Sequence, residues 1–518
     1  MSVYSKNYIK IYLWRFISIL SGFLSLLIVI PYLSDNIEFY GIYAFCISLT
    51  LYLSYADIGF LNAGQKYAAE AYAKGNRKEE IEILGFTGAI LLLMIVPFSI
   101  GMIYFSFNPD VLIKDLSNEG QEIAGNIFLI LGLVLPIQII VQRLVQSILI
   151  IRIKDYISLR VDVIFNLIKI SSVFYFFRVG KYMIAEYYLF ITIITIISSI
   201  VILMIIKKTE DYNFLELLKS IKLSKKQYLI TKKLAYSSLF LTIGWVIYYE
   251  LDLILIGRWF GPEDVAVYAI GFTFLNFLRT LWNSVFSPFA QRFNHFVGLN
   301  SDKDLKELIE KIIDYTLPLC VIITLVLVLA SNKITIYWVG AFYKNSIIIM
   351  KILILGTGFA FITRPASFYF TAKTKYIFIY LMAIILPLTF FIGLVTLTPI
   401  YGIVGISISK SLAMFLGFVI SMIGIFQFYN PLKIIKKWFV NLLILCVLIS
   451  FAFPLILDVF FISKEKSTIN LVMLMLFSGV IIIASYALML LTKKQQRDDL
   501  KVIWAKFTKK RNITFKND

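Results

Sequence analysis

Long apolar runs recur along the whole chain, each bounded by charged or turn-forming residues. A helix needs about 20 apolar residues to cross the hydrocarbon core of a bilayer, so each run of that size reads as a membrane span. The pattern predicts helices over residues 11–33, 39–61, 82–106, 124–150, 161–177 and 182–206. After a polar connection at 207–233 it predicts eight more, over 234–256, 265–287, 312–330, 346–371, 377–398, 402–428, 438–460 and 468–492. The expected fold class is therefore an all-α polytopic membrane protein of about fourteen spans.

Composition agrees with the pattern. Sixty per cent of the 518 residues are hydrophobic and 16% charged, and the mean hydropathy is +0.85. A soluble protein of this length needs a far more polar surface. The formal charge of +19 would suggest nucleic acid in a soluble protein, but its distribution gives it a topological meaning instead. With fourteen spans both termini share a side. That side carries 35 of the 50 Lys and Arg, the opposite loops carry 8, and the spans hold 7. Cytoplasmic loops of membrane proteins hold the excess of cations, so both termini are expected in the cytoplasm and the chain in the inner membrane. The first apolar run is full length and has no small-residue cleavage pattern after it, unlike a secretory signal. The three cysteines, Cys46, Cys320 and Cys446, all sit in apolar runs, as small core residues do, so neither a disulfide framework nor a metal site is expected.

The two halves repeat weakly. Glu38–Ala44 reads EFYGIYA and Glu263–Ala269 reads EDVAVYA. Ala63-Gly64-Gln65-Lys66-Tyr67 aligns with Phe289-Ala290-Gln291-Arg292-Phe293, and Leu129-Ile130-Leu131-Gly132 recurs as Leu353-Ile354-Leu355-Gly356. The common order and nearly constant offset point to a six-plus-six duplication, and transporters often place substrate between such repeats. The expected organisation is an N-terminal lobe at 1–206, a cytoplasmic linker at 207–233, a C-terminal lobe at 234–430, an extra helix pair within 431–492 and a basic tail at 493–518. Within the linker, Phe214, Leu217, Leu218 and Ile221 recur at helical spacing, the mark of an interfacial helix.

Several of these segments carry a family resemblance. They are Tyr40-Gly41-Ile42-Tyr43, Asp57-Ile58-Gly59 with Ala69-Glu70 and Lys74-Gly75-Asn76, Asp252-Leu253-Ile254-Leu255-Ile256-Gly257, Tyr268-Ala269, and Pro399-Ile400-Tyr401-Gly402-Ile403-Val404-Gly405. Over about residues 10–430 the chain resembles the polysaccharide-export branch of the multidrug/oligosaccharidyl-lipid/polysaccharide (MOP) exporters, the Wzx-type flippases of O-antigen and capsule repeat units. The resemblance implies two six-helix lobes around a central cavity that opens alternately to each side. It also implies a polyprenyl-diphosphate-linked oligosaccharide as cargo, with membrane lipid and other polysaccharide-assembly proteins as neighbours. The last helix pair exceeds the twelve helices of the multidrug exporters and suits the lipid-substrate branches.

The seven cations inside spans are Arg15, Arg143, Lys169, Arg279, Lys351, Arg364 and Lys410. A central Arg or Lys costs about 2.5–3.5 kcal/mol on insertion scales, so Arg143, Lys169, Arg279 and Arg364 together cost on the order of 10 kcal/mol. Arg15 and Lys351 lie near span ends, where long side chains snorkel, and Lys410 has the option of pairing with an acid. Polar neighbours fall on shared helix faces: Gln138, Gln142 and Gln146 beside Arg143; Asp162 and Asn166 with Lys169; Asn276, Asn283 and Ser287 with Arg279; Thr357 and Ser367 with Arg364; Ser18, Gly22 and Ser25 with Arg15. Polar stripes avoid lipid, so cations from both halves are expected to line a hydrated cavity. The expected binding set is Arg15, Arg143, Lys169, Arg279, Arg364 and Lys410, lined by Gln138, Gln142, Gln146, Asn166, Asn276, Asn283 and Thr357. Arg grips phosphate through paired hydrogen bonds, while amides and hydroxyls suit sugars.

Asp57, Glu250 and Asp252 are the acids placed to couple transport to an ion. No outer loop exceeds about 17 residues, and no dense His/Asp/Glu constellation or phosphate-cradling Gly-rich loop occurs. A membrane-embedded glycan polymerase or acyltransferase, the alternative from another class, would need such features. A drug or cation exporter, the nearer alternative, would favour acids over the Arg and Lys found. No catalytic residue, cofactor, metal or nucleic-acid partner is expected.

Overall fold

The computed structural model describes residues 3–53, 59–210, 212–463 and 465–492. Nineteen α-helices run along them. The first eleven are α1 (Val3–Leu33), α2 (Ile37–Leu53), α3 (Phe60–Ala73), α4 (Arg77–Ser106), α5 (Asn118–Leu133), α6 (Leu135–Ile151), α7 (Tyr156–Phe176), α8 (Ile184–Glu210), α9 (Phe214–Lys219), α10 (Lys225–Tyr249) and α11 (Asp252–Phe260). The rest are α12 (Pro262–Gly298), α13 (Asp302–Val339), α14 (Ser346–Thr357), α15 (Ala360–Ala372), α16 (Tyr376–Tyr401), α17 (Ile403–Phe426), α18 (Leu432–Phe460) and α19 (Thr468–Leu491).

Side-chain oxygens start several of these helices by accepting otherwise unpaired amides. Asn76 caps α4, Ser117 caps α5, Ser224 caps α10 and Ser467 caps α19. Nine helices of the described residues are each long and apolar enough to cross a membrane. Two bent pairs each make one more, α5 with α6 at 41° and α14 with α15 at 47°. Pro136 sits at the start of α6, where its ring excludes continuation from α5. Gly358 lies at the second break. The remaining three expected spans overlap α2, α7 and α10, and α2 is a shorter apolar helix.

The chain forms two compact units, residues 1–273 with 383–410, and residues 274–382 with 411–518. In the first, α1 lies along α7, α4 packs on α3, α5 and α6, and α8 packs on α5, α6 and α7. Helices of the second sequence half join it: α10 lies on α3, and α11 lies on α2. Two glycines make this contact possible. At Gly41 a Cβ would lie 1.8 Å from the carbonyl oxygen of Pro262, so any side chain there pushes α2 and α12 apart. Gly59 opens α3 at φ +75°, with Ala235 O 2.6 Å from where a Cβ would stand; only glycine tolerates both conditions. One apolar core of this unit gathers Ile81, Leu84, Ile148, Leu149, Ile202, Ile206 and Leu217. Leu217 ties the linker helix α9 to that core, while Leu215 and Leu218 remain exposed.

In the second unit α13 is the central post, packed by α14, α15, α18 and α19. Ion pairs fasten α18 to it near both ends. Asp314 on α13 receives Lys437 at 2.9 Å and the indole Nε1 of Trp438 at 2.8 Å. Lys333 on α13 reaches Asp458 at 3.1 Å and the Phe461 carbonyl at 2.8 Å. The outward faces of α18 and α19 expose large apolar side chains such as Phe451, Leu455, Leu476 and Ile483, as lipid-facing surfaces do.

Candidate functional site

A polar pocket of about 300 Å³ opens between α1, α6, α7 and α8 in the first unit, at the lower end of the size range of small-molecule sites. Ser18, Ser21 and Gly22 line it from α1, Gln142 from α6, Asp162, Asn166 and Lys169 from α7, and Thr195 and Ser198 from α8. Residues at i, i+4 and i+7 share one face of a helix, which is why Asp162, Asn166 and Lys169 enter together.

Hydrogen bonds set the geometry of the pocket. Lys169 Nζ donates to Thr195 Oγ1 at 2.5 Å. Asn166 Nδ2 donates to Ser21 Oγ at 2.8 Å, joining α7 to α1. Ser198 Oγ donates to Asp162 Oδ1 at 3.0 Å, joining α8 to α7. An ammonium, a carboxylate, two amides and several hydroxyls thus face one small volume. Such a set matches polyhydroxylated ligands, which need donors and acceptors in alternation.

The other expected cations are distributed differently. Arg15 is 46% exposed and pairs with Asp155 at 3.5 Å, outside the residues that line the pocket. Burial pushes the Asp155 carboxyl above the usual carboxylate range, and Arg15 acts against that rise. Arg143, Gln138 and Gln146 are half-buried on α6; the Arg143 carbonyl accepts Ser147 Oγ at 2.7 Å, and Ser147 accepts Gln65 Nε2 at 2.9 Å. Of α6, only Gln142 lines the described pocket.

Asn276, Arg279, Asn283, Thr357 and Arg364 lie in the second unit. Asn276, Arg279 and Arg364 are half-buried there and Asn283 is exposed. Thr357 is buried and spends its hydroxyl on the Ile354 carbonyl of its own helix at 2.7 Å. Lys351 is half-buried on α14.

Lys410 is wholly enclosed and forms an ion pair with Asp252 at 2.5 Å. Each charge is answered inside the protein, so in this conformation neither faces an open cavity. Glu250 is buried at the end of α10. Asp57, the third acid, lies outside the described residues, as does the basic tail from 493 onward.

A buried ionic network in the first unit was not evident from the sequence. Arg152 meets Glu80 at 2.7 Å with both side chains fully enclosed. It also approaches Glu210 at 3.7 Å, which Lys154 contacts too. Tyr72 and Tyr212 lie against the guanidinium, 4.6 and 5.1 Å from their ring centres. Burial, and then the nearby Glu80 charge, push the Tyr212 phenol upward. The network joins the ends of α4, α6 and α8, where each charge reads singly as a loop residue. No spacing in the sequence connects positions 80, 152 and 210.

No protein-family model and no curated protein matches the sequence. Among solved structures, the chain is similar to lipid II flippase MurJ in an inward closed conformation. The TM-score is 0.66 at 16% identity, over 93% of this chain and 98% of that one. The chain shares the fold of that protein. A multidrug resistance MATE transporter of the MOP superfamily, inward-facing, matches it with a TM-score of 0.58 at 12% identity, over 83% of this chain and 96% of that one. The eukaryotic MATE transporter AtDTX14 gives 0.54 at 15% identity, over 85% and 99%.

Proposed function

We propose that this chain is a flippase that moves a polyprenyl-diphosphate-linked oligosaccharide across the cytoplasmic membrane by alternating access, with both termini in the cytoplasm. The observation that carries the reading is the polar pocket around Lys169, within a fold shared with a lipid II flippase. An ammonium beside amides and hydroxyls offers a diphosphate its counter-charge and a sugar its hydrogen bonds. The half-buried Arg143, Arg279 and Arg364 are proposed to supply further positive charge as the cargo passes. Coverage supports the lipid branch. The match to the lipid II flippase spans 93% of this chain, against 83–85% for the two MATE transporters. The difference is about the size of the final helix pair.

On this reading no bond is made or broken. The sugar-diphosphate head is bound from the inner side, the polyprenyl tail stays in lipid, and the head is released outside. A cation exporter is favoured by one feature, the Asp162 carboxylate in the pocket. Lys169, two turns along the same face, opposes a cationic cargo there.

Native mass spectrometry of the purified chain with an undecaprenyl-diphosphate-linked disaccharide and, separately, ethidium decides between them. The flippase reading expects selective retention of the diphosphate lipid, weakened at least tenfold in Lys169→Ala and in the triple variant Arg143→Ala, Arg279→Ala, Arg364→Ala. Preferential retention of ethidium, or indifference to all four cations, would overturn it.

A further inference from the structure

The backbone breaks at Glu250–Leu251, between α10 and α11. A break inside a membrane-sized segment leaves carbonyls unpaired at the end of one half-helix and amides at the start of the next. Such broken helices bind ions in membrane transporters, through the exposed carbonyls and adjacent polar side chains. Here the break is occupied by a side chain of the same protein. Lys410 Nζ, arriving from α17, donates to the Tyr249 carbonyl at 3.1 Å and meets Asp252 Oδ2 at 2.5 Å. Tyr268 OH donates to the same carboxylate oxygen. The Phe272 ring centre lies 4.5 Å from the ammonium, within the range of a cation–π contact.

Side-chain exposure is 0% for Lys410 and 1% for Asp252. Glu250, also buried, lies two residues away. Among the described residues, Asp252 Oδ1 is buried with no hydrogen-bond partner. A helix-end carbonyl, a carboxylate and an aromatic face thus surround the ammonium, and the Tyr268 phenol holds the carboxylate. Lysine reaches it with a flexible stem and a compact ammonium, a geometry that a planar guanidinium does not reproduce.

We propose that this is a monovalent-cation site which the chain fills from within, the Lys410 ammonium standing where a free cation would otherwise bind. The inference does not rest on the identity of the cargo. It follows that the wild-type chain takes no external ion at Asp252, and that removing the ammonium exposes a site selective for small monovalent cations.

The test is thermal unfolding of the full chain in detergent, in choline chloride and in sodium, potassium or methylammonium chloride at equal ionic strength. Wild type is expected to melt at the same temperature in all four. Lys410→Ala is expected to melt several degrees lower in choline and to regain at least half of that loss, saturably, with methylammonium or an alkali cation. Asp252→Asn/Lys410→Ala is expected to respond to none of them. A foldable Lys410→Ala that no small cation restores, or a double variant that responds equally, would overturn the proposal. Should Lys410→Ala yield no folded protein in any salt, Asp252→Asn/Lys410→Met is expected to purify normally, because charge and counter-charge leave together. Failure of that variant too would mean that the charge of Lys410 is not what the site requires, and would equally overturn it.

Discussion

Replacing Arg152 with methionine keeps a long side chain in place and removes the guanidinium that faces Glu80 and Glu210. Arg152 and Glu80 are both fully enclosed and 2.7 Å apart. Removing one partner of a buried pair typically costs about 3–5 kcal/mol, because the remaining charge has neither water nor counter-ion. The alternative for the stranded acid is to take up a proton. For a glutamate in water, with pKa about 4.3, each pH unit costs about 1.36 kcal/mol, or about 3.7 kcal/mol at pH 7. The two routes agree, so Arg152→Met is expected to lose about 4 kcal/mol at neutral pH. Proton uptake becomes easier on acidification, costing only about 1.6 kcal/mol at pH 5.5. The penalty should therefore shrink by about 2 kcal/mol between pH 7 and pH 5.5. Denaturant unfolding in mixed micelles of wild type, Arg152→Met and Glu80→Gln/Arg152→Met measures it, the double variant recovering most of the loss and its pH dependence. A single variant as stable as wild type at pH 7, or a penalty that grows on acidification, would refute the reasoning.

Further expectations concern the pocket and the packing. Lys169→Met should abolish most flipping of a fluorescent polyprenyl-diphosphate lipid in proteoliposomes while leaving the melting temperature near wild type; unchanged flipping would exclude Lys169 from the transport path. Gly41→Ala should destabilise severely, since its Cβ falls 1.8 Å from the Pro262 carbonyl oxygen. Gly22→Ala, with nothing within 4 Å of its Cβ, should fold normally; comparing the yields of monodisperse protein checks the contrast. Trp438→Phe removes the indole donor to Asp314, whose two oxygens keep Lys437, and should cost about 1.5–3 kcal/mol, the range for one hydrogen bond to a charged group. Equal unfolding midpoints for Trp438→Phe and wild type would contradict this.

The span count was legible because bilayer thickness imposes one length on every apolar run, and no tertiary contact competes with that demand. The polar stripes were legible for a related reason. Asn166 and Lys169 are one turn apart on α7, and helical geometry alone puts them on one face, where they line the pocket with Gln142 and Ser18. What periodicity does not carry is partnership at long separation. Lys410 and Asp252 stand 158 positions apart, and a stripe gives no distance between helices, so the sequence left open whether Lys410 faced water or an acid. The Arg152 network was hidden more completely, since each member sits at a span end, where a charge needs no explanation. The bend at Pro136 is read from proline chemistry, whereas α3 emerges in a stretch that hydropathy leaves as loop, because α4 and α10 supply the surface it packs on.

Asp314 makes the last two helices a commitment rather than an appendage. The carboxylate is set into α13 at a depth where Lys437 and Trp438 of α18 hold it. Cut the chain back to twelve spans and that acid loses both the ammonium and the indole, and removing one partner of a buried pair typically costs about 3–5 kcal/mol. In engineering terms, a minimal version of this protein has to exchange Asp314 for a neutral residue in the same step that removes α18 and α19.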